Sequence, residues 1–150
     1  MTAARVLIQR LPHAADLPLP SRATAHAAGF DLRACLANAV AVAPGGRALI
    51  PTGIAIALPE GYEAQIRPRS GWALASGVTL LNAPGTIDAD YRGEIAVLVV
   101  NHGDRPVEIA RGDRIAQLVV HRLPQVDLEA VDVLPESVRG AGGFGHTGTG

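Results

Sequence analysis

Apolar residues along this chain alternate with other residues in short runs, a pattern typical of β-strands. In residues 54–58, Ile54, Ile56 and Leu58 share one face, because side chains along a strand alternate with a period of two. Residues 63–67 alternate polar and apolar side chains, as a half-buried strand does. Further apolar runs occupy residues 6–8, 40–42, 78–81, 95–100, 106–109 and 115–120.

Glycine and proline separate these runs. Strands spaced about 8–12 residues apart, with such turns between them, are typical of β-sandwiches and barrels. One segment favours a helix, with Ser70 as the N-cap of residues 71–76 and Gly77 as its C-terminal stop. We therefore predict an all-β fold with one very short helix. The breaks lie at residues 44–46, 51–53, 59–61, 84–85, 103–104 and 112–113.

Length and composition fit one globular domain. A chain of 150 residues is able to bury roughly 70% of the surface exposed when it is unfolded. With 48% apolar residues it is too hydrophobic for intrinsic disorder. Five aromatic residues are too few to build the core, so aliphatic side chains must do so.

Charge and cysteine content exclude several classes of function. A net charge of −1 argues against a nucleic-acid polymer as partner, since such binding needs many basic contacts. The single cysteine, Cys35, permits neither an internal disulfide nor a cysteine-based zinc site. The sequence has no run of roughly 18 apolar residues and no signal-peptide pattern. We expect a cytoplasmic protein with no membrane partner.

The last twelve residues, 139–150, differ from the rest of the chain. They hold six of the 17 glycines, together with Arg139 and Phe144. Composition alone favours a disordered terminus, because glycine has the most backbone freedom to lose. An aromatic ring and an arginine within such a segment also suit an arm that orders on a ligand. We predict a β domain over residues 1–138 and a flexible, glycine-rich lid arm over residues 139–150.

Two polar segments carry candidate anion chemistry. Residues 67–71 (RPRSG) join arginines, a hydroxyl and free amides, which suit a phosphate but equally suit a helix start with surface arginines. Gln117 lies within an apolar run, so it either faces water or is held for a ligand.

Two further segments carry carboxylates. Asp31 has the pattern of a buried carboxylate beside a strand, but an ordinary aspartate turn explains the same pattern. In residues 82–94, Asp88 and Asp90 share one face of an extended segment, which suggests either a metal site or a solvated hairpin tip.

Taken in order, these segments resemble the five motifs of the trimeric dUTP diphosphatase (dUTPase) family. The matching segments are AGFDL, RPRSG, NAPGTIDADYRGE, RGDRIAQL and RGAGGFGHTG, and the third and fifth are the most discriminating. The resemblance implies a jelly-roll-like β-barrel that forms a homotrimer with shared active sites. It also implies Mg²⁺-dependent hydrolysis of dUTP to dUMP and pyrophosphate. That activity limits uracil incorporation into DNA and supplies dUMP for thymidylate synthesis.

The resemblance assigns catalytic roles. Asp88 is the carboxylate that activates a water for attack on the α-phosphorus. Arg69, Ser70 and Gln117 are catalytic groups on the phosphates, and the Gly71 amide binds them too. In place of the two-carboxylate site, Mg²⁺ is held chiefly by the triphosphate and waters. Asp31 then acts indirectly, either through a metal-bound water or by fixing Arg69, and Asp90 has no catalytic role.

The resemblance also assigns the substrate contacts. Tyr91 forms the floor beneath the deoxyribose and leaves no room for a 2′-hydroxyl. Phe144 stacks on the base. The uracil edge is read by Asn82, Thr86, Ile87 and Ala96, and the terminal phosphates are reached by Arg139 and Thr147.

Two departures and two alternatives accompany this assignment. His146 stands where the family usually has serine, and Trp72 where it usually has an aliphatic residue. A dCTP deaminase shares the fold and overlapping motifs, but Tyr91 and the terminal GGFG favour the diphosphatase. A catalytically silent nucleotide-binding trimer is disfavoured by the complete set of catalytic residues.

Overall fold

The computed structural model describes residues 4–146 and 148, and its strands confirm the predicted all-β class. Every predicted run forms a strand, and three strands arise outside those runs, namely β2, β4 and β8. The strands are β1 (Leu7–Arg10), β2 (Phe30–Arg33), β3 (Val40–Val42), β4 (Arg47–Pro51), β5 (Ile54–Ala57), β6 (Tyr62–Arg67), β7 (Val78–Leu80), β8 (Gly85–Ile87), β9 (Ala96–Asn101), β10 (Val107–Ile109) and β11 (Arg114–Arg122). A 3₁₀ turn spans Pro12–Ala14, and one helix, α1, spans Ser70–Ser76.

All strand pairs are antiparallel, and they form a jelly-roll-like arrangement. A four-stranded sheet has the order β2-β11-β6-β8, and a three-stranded sheet has the order β4-β9-β7. Two ribbons, β1-β5 and β3-β10, complete the arrangement. Within the described residues these sheets are not joined into one closed barrel, so the jelly-roll description is the accurate one.

The core is aliphatic, as the scarcity of aromatic residues requires. The largest fully buried apolar side chains are Leu32, Ile50, Ile95, Ile109 and Ile115, with valines from β7 and β9. The rings of Phe30, Tyr62 and Trp72 are only partly buried against this core. Burial of each aliphatic side chain contributes about 1.5–3 kcal/mol, so many small contacts replace a few large aromatic ones.

Helix α1 follows directly on β6 and confirms the predicted helix, with one correction at its start. Arg69, not Ser70, is the N-cap, and it makes no side-chain capping hydrogen bond. Ser70 is therefore the first helical residue, and its hydroxyl is not committed to a cap. The predicted stop is correct, because Gly77 is left-handed (φ 67°) and its N–H donates to the Ala73 carbonyl.

After β11, the described chain has no regular secondary structure. Residues 123–140 are exposed throughout, and several of them are large and apolar. The arm boundary at residue 139 stays a prediction. Among the described residues, no helix has the length and apolar character needed to cross a membrane.

Candidate functional site

A group of polar side chains lies where β2, β11 and β6 run side by side. The strand register places Gln117 opposite Asp31 on one side and opposite Arg67 on the other. The Gln117 amide nitrogen donates to the Pro68 carbonyl at 3.0 Å, which fixes the side chain. Sheet pairing thus brings the first, second and fourth motifs to one place.

Two arginines share the Asp31 carboxylate. Arg114 Nη1 donates to Asp31 Oδ2 at 3.2 Å, and Arg69 Nε lies 3.7 Å from Asp31 Oδ1. Arg69 Nη1 also donates to the Arg114 carbonyl at 3.1 Å. Since a guanidinium has five N–H donors, both arginines keep donors for an anionic ligand. We call Asp31, Arg69, Arg114 and Gln117 the arginine cluster.

Sequence reasoning missed Arg114. In a regular strand, residues 114 and 117 point to opposite faces, because their separation is odd. A register irregularity between Arg114 and Ala116 breaks this alternation and lets Arg114 reach Asp31. The available signal was its place within the RGDRIAQL segment, three residues before Gln117.

Gly29 makes room for the Gln117 side chain. A Cβ atom on Gly29 would overlap the Gln117 amide oxygen and lie 3.1 Å from its Cδ. Any larger residue here would push Gln117 away from Asp31. The glycine of the AGFDL segment therefore serves this cluster directly.

Ser70 and Gly71 lie beside Arg69 in the first turn of α1, and both are exposed. The hydroxyl and the Gly71 amide are thus open to a ligand next to the Arg69 guanidinium. Trp72 is half-buried and packs against the core. This departure from the family pattern is accommodated inside the fold.

The third motif builds a separate pocket. Five predicted residues line a cavity of about 270 Å³, together with Glu94 and Ile95, which sequence reasoning did not assign. We call it the hairpin pocket. The predicted residues in it are Thr86, Ile87, Asp88, Tyr91 and Ala96.

Two hydrogen bonds within the loop shape the wall of the hairpin pocket. The Tyr91 hydroxyl donates to the Glu94 carbonyl at 3.0 Å, and the Tyr91 N–H donates to the Asp88 carbonyl at 3.1 Å. Gly93 lies against the ring, since a Cβ there would be 2.6 Å from Tyr91 Cζ. The ring is therefore folded back over its own loop, and the Asp88 carboxylate is exposed at the pocket.

Other predicted residues are not brought to either place. Asn82 lies in the turn before β8, outside the hairpin pocket lining. Arg139 donates to the Gly142 carbonyl within the C-terminal arm at 2.8 Å, and Phe144 is fully exposed with a φ of 49°. Thr147 lies outside the described residues.

The arginine cluster and the hairpin pocket are far apart in one chain. Ile87 pairs with Ala64, so Asp88 follows at the level of Glu63, whereas Gln117 pairs with Arg67. Four residues of strand correspond to roughly 13 Å. Strands β11 and β6 also separate β2 from β8. One chain therefore carries two separate groups of candidate site residues, the arginine cluster and the hairpin pocket, which we call the half-sites.

The fold and these half-sites define a jelly-roll-like β protein with two arginines around one carboxylate and a separate small pocket. The dUTPase family model matches residues 15–148. The chain therefore belongs to the dUTPase family, and its reaction is the hydrolysis of dUTP. Both the resemblance drawn from the five motifs and the predicted enzyme class are confirmed.

Solved structures show the same fold. The dUTPase of Staphylococcus bacteriophage 80alpha with dUpNHpp is 25% identical, with a TM-score of 0.86, and the match covers 97% of this chain and 99% of that one. A mutant of that enzyme, also with dUpNHpp, is 24% identical, with the same coverage and TM-score. A mutant dUTPase of the S. aureus phage phi11, which shows the coordination of a structural Mg(II) ion, is 23% identical with a TM-score of 0.77. That match covers 88% of this chain and 99% of that one.

Proposed function

We propose that the chain cleaves dUTP to dUMP and pyrophosphate by in-line attack of water on the α-phosphorus, with Asp88 as the general base. The observation that carries this proposal is the hairpin pocket, in which the Asp88 carboxylate lies beside Tyr91 and the backbone of Thr86 and Ile87. The activity keeps uracil out of DNA and supplies dUMP for thymidylate synthesis. We place it in the cytoplasm.

Asp88 accepts the proton of the attacking water. The step needs a carboxylate within hydrogen-bond reach of that water. Asp88 is exposed at the end of β8, where a water has access to it. Asp90 does not line the hairpin pocket, in keeping with its lack of a catalytic role.

The arginine cluster binds the phosphates. Arg69, the Ser70 hydroxyl, the Gly71 amide and Gln117 donate hydrogen bonds to the α-phosphate and the leaving pyrophosphate. Arg69 and Gln117 are already held by hydrogen bonds to the Arg114 and Pro68 carbonyls, so they are placed to stabilise the charge that develops in the transition state. Arg114 adds a second guanidinium on the same carboxylate.

The carboxylates of the candidate site suit a Mg²⁺ ion that is bound chiefly by the triphosphate rather than by the protein. Within the described part of the chain, no three His, Cys, Asp or Glu side chains are grouped to hold a metal. The Asp31 carboxylate faces Arg69 and Arg114, so it is suited to orient a metal-bound water rather than to bind the ion directly. When bound, Mg²⁺ neutralises phosphate charge and orients the triphosphate.

The edge strand β8 reads the uracil. It pairs with β6 on one side and ends the sheet, so its outer backbone groups are free for a base edge. A base that leaves these groups unpaired is rejected strongly. Asn82 contributes from the turn before β8 and Ala96 from the start of β9, and the Tyr91 ring excludes a 2′-hydroxyl.

A homotrimer with shared active sites unites the two half-sites. Asp88 and Gln117 lie roughly 13 Å apart along the strands of one chain, which is too far for both to act on the same α-phosphorus. A neighbouring subunit would supply the missing half. Exposed apolar side chains after β11 support such association, namely Val126, Leu128, Val133, Leu134 and Val138.

The C-terminal arm closes the shared site. Phe144 stacks on the uracil, while Arg139 and Thr147 reach the terminal phosphates. Full exposure of Phe144 in the isolated chain leaves its ring available for this contact. Ordering of the arm on substrate excludes water from the reacting phosphate.

Replacing Asp88 tests the mechanism. We expect Asp88→Asn to lower kcat by about 10²–10⁴-fold, since that is the usual contribution of a general base. Binding of a non-hydrolysable dUTP analogue, measured by calorimetry, should be retained. Asp90→Asn is the matched control and should turn over normally. Unchanged turnover in Asp88→Asn would remove the base from the mechanism.

A substrate panel tests the choice of reaction in the same preparations. Pyrophosphate release is measured with dUTP, UTP, dCTP and dTTP, and we expect it from dUTP almost exclusively. Ammonia release from dCTP would instead identify a deaminase. Nucleotide binding without hydrolysis would identify a silent nucleotide-binding trimer.

A further inference from the structure

Glu94 connects the hairpin pocket to a distant part of the fold. Its backbone carbonyl accepts the Tyr91 hydroxyl at 3.0 Å. Its carboxylate Oε1 accepts the Gly53 N–H at 2.7 Å and lies 2.9 Å from His13 Nε2. One residue thus holds the tyrosine with its main chain and the body of the protein with its side chain.

Gly53, which anchors the Glu94 carboxylate, belongs to a rigid stretch of backbone. Gly53 joins β4 to β5 in a left-handed conformation (φ +71°), and a Cβ there would lie 2.9 Å from the buried Cys35 sulfur. The Gly53 carbonyl accepts the Leu11 N–H at 2.8 Å, next to the turn that carries His13. This backbone has little freedom to move.

Thr52 and Ile54, which flank Gly53, form hydrogen bonds with Ile95, the residue that follows Glu94 in the pocket wall. The Thr52 hydroxyl and N–H both donate to the Ile95 carbonyl, at 2.5 and 3.1 Å. The Ile95 N–H donates to the Ile54 carbonyl at 2.9 Å. Ile95 is fully buried, so the wall is fixed immediately after Glu94.

The loop that precedes Glu94 has hydrogen bonds of its own and packs against the core through one residue. The Tyr91 N–H donates to the Asp88 carbonyl, and Arg92 Nη1 donates to the carbonyls of Ala89 and Tyr91 at 2.6 and 2.9 Å. Ala89 is partly buried against the core, whereas Tyr91 and Arg92 are exposed. Ala89 therefore positions the first part of the loop, and the Glu94 carboxylate positions the part that follows Tyr91.

We propose that Glu94 is a positioning residue for sugar selection, which with Gly53 and His13 holds the Tyr91 ring where it excludes a 2′-hydroxyl. The inference rests on the proposed role of Tyr91 as the floor beneath the deoxyribose. Without the carboxylate, the loop and its ring retreat and admit a ribose. Asp88 directly follows β8, which pairing with β6 holds in place, so turnover of dUTP is less affected than selectivity.

The conservative variant separates this role from a general effect on folding. Glutamine keeps an oxygen that accepts the Gly53 N–H, whereas alanine removes it. We expect Glu94→Ala to lower the ratio of kcat/KM for dUTP to kcat/KM for UTP by roughly tenfold, the typical effect of losing a hydrogen bond to a charged group. The change should come mainly from a lower KM for UTP.

The experiment uses the full chain with Mg²⁺ and measures kcat and KM for dUTP and UTP. Glu94→Gln should keep the ratio within about twofold of the unmodified protein, because the acceptor is retained. Glu108→Ala, an exposed glutamate on β10, is the matched control and should not change the ratio.

If Glu94→Ala does not fold, His13→Ala removes one anchor from outside the pocket and should lower the ratio. An unchanged ratio in a folded Glu94→Ala protein, or in His13→Ala when it is the variant used, overturns the inference.

Tyr91→Ala distinguishes a failure of the inference about Glu94 from a failure of the proposed function on which it rests. If it leaves the ratio unchanged, Tyr91 is not the sugar floor, and the proposed role of the hairpin pocket fails with it. If it lowers the ratio while Glu94→Ala does not, only the role of Glu94 is overturned.

Discussion

Arg111 joins three stretches of chain that are far apart in sequence. Its guanidinium donates to both carboxylate oxygens of Asp16, at 2.5 and 3.0 Å. It also donates to the carbonyls of His13 and Leu36, at 2.7 and 3.1 Å. Part of the RGDRIAQL segment is therefore structural, and it fixes the turn that carries His13. The hydrogen bonds from Arg111 lower the pKa of Asp16 from 3.8 to about 2.

This pKa predicts how stability depends on acid. Because the folded value lies below the unfolded one, the pair stabilises the folded protein above about pH 4, and the contribution disappears as the pH falls from about 4 to about 2. The effect should be small, since Asp16 is largely exposed and its charge is screened. In Asp16→Asn, the free energy of unfolding should depend less on pH over this window.

Urea denaturation at a fixed protein concentration, across pH 2–5, measures the difference. Asp104→Asn, an exposed aspartate in the turn after β9, is the control and should keep the steeper dependence. Equal slopes for the unmodified protein and Asp16→Asn would show that the pair does not stabilise the folded state.

Among the elements, β11 organises the candidate phosphate site. It pairs with both β2 and β6, and its irregularity near Ala116 lets Arg114 reach the carboxylate of Asp31, the residue opposite Gln117. Periodicity predicted this strand but not the irregularity, since the latter depends on how β2 pairs with it. The short strand β8 escaped prediction for a similar reason. Its three residues lie in a polar segment, and pairing with β6 makes them a strand.

The C-terminal arm gives a prediction at the same scale. Deleting residues 139–150 should lower kcat/KM for dUTP on the order of a hundredfold, because the base loses its stacking partner and the phosphates lose donors. The melting temperature and oligomeric state should not change, since Phe144 makes no packing contact with the β domain in this chain.

Steady-state kinetics and analytical ultracentrifugation of the truncated protein check both statements. Phe144→Ala, which keeps the arm, separates loss of stacking from loss of the phosphate contacts. Full activity after deletion would count against a lid, and loss of the oligomer would show that the arm belongs to the folded domain.

At the scale of the whole molecule, the separation of the two half-sites predicts complementation between subunits. Asp88→Asn and Arg69→Ala should each be nearly inactive alone. In mixed trimers, a site that takes Asp88 from one subunit and Arg69 from another is intact in roughly one quarter of cases at equal mixing. Activity should therefore reappear on mixing.

Co-expression with two affinity tags yields the mixed assemblies, and pyrophosphate release measures the recovered sites. Two preparations of Asp88→Asn alone, purified with the same tags, are the control. Mixed trimers that stay inactive would place the complete site within one subunit.

The sequence by itself determined the local features of this protein. Alternation of apolar residues, with glycine and proline between the runs, predicted the strands that carry the core, such as β5 and β9. These signals act over a few residues, so no knowledge of the fold is needed. The order of the five motifs indicated the family, because each motif is a contiguous segment.

Only the tertiary structure decided which residues meet. Glu94 contacts His13 across 81 positions, and Arg114 contacts Asp31 across 83. Such contacts depend on strand register and on one irregularity, and neither is encoded in the residues that touch. The same register separates Asp88 from Arg69, although the proposed mechanism uses both. The local motifs can therefore be recognised in the sequence, whereas the distance between Asp88 and Arg69 in one chain follows from how the sheet is paired.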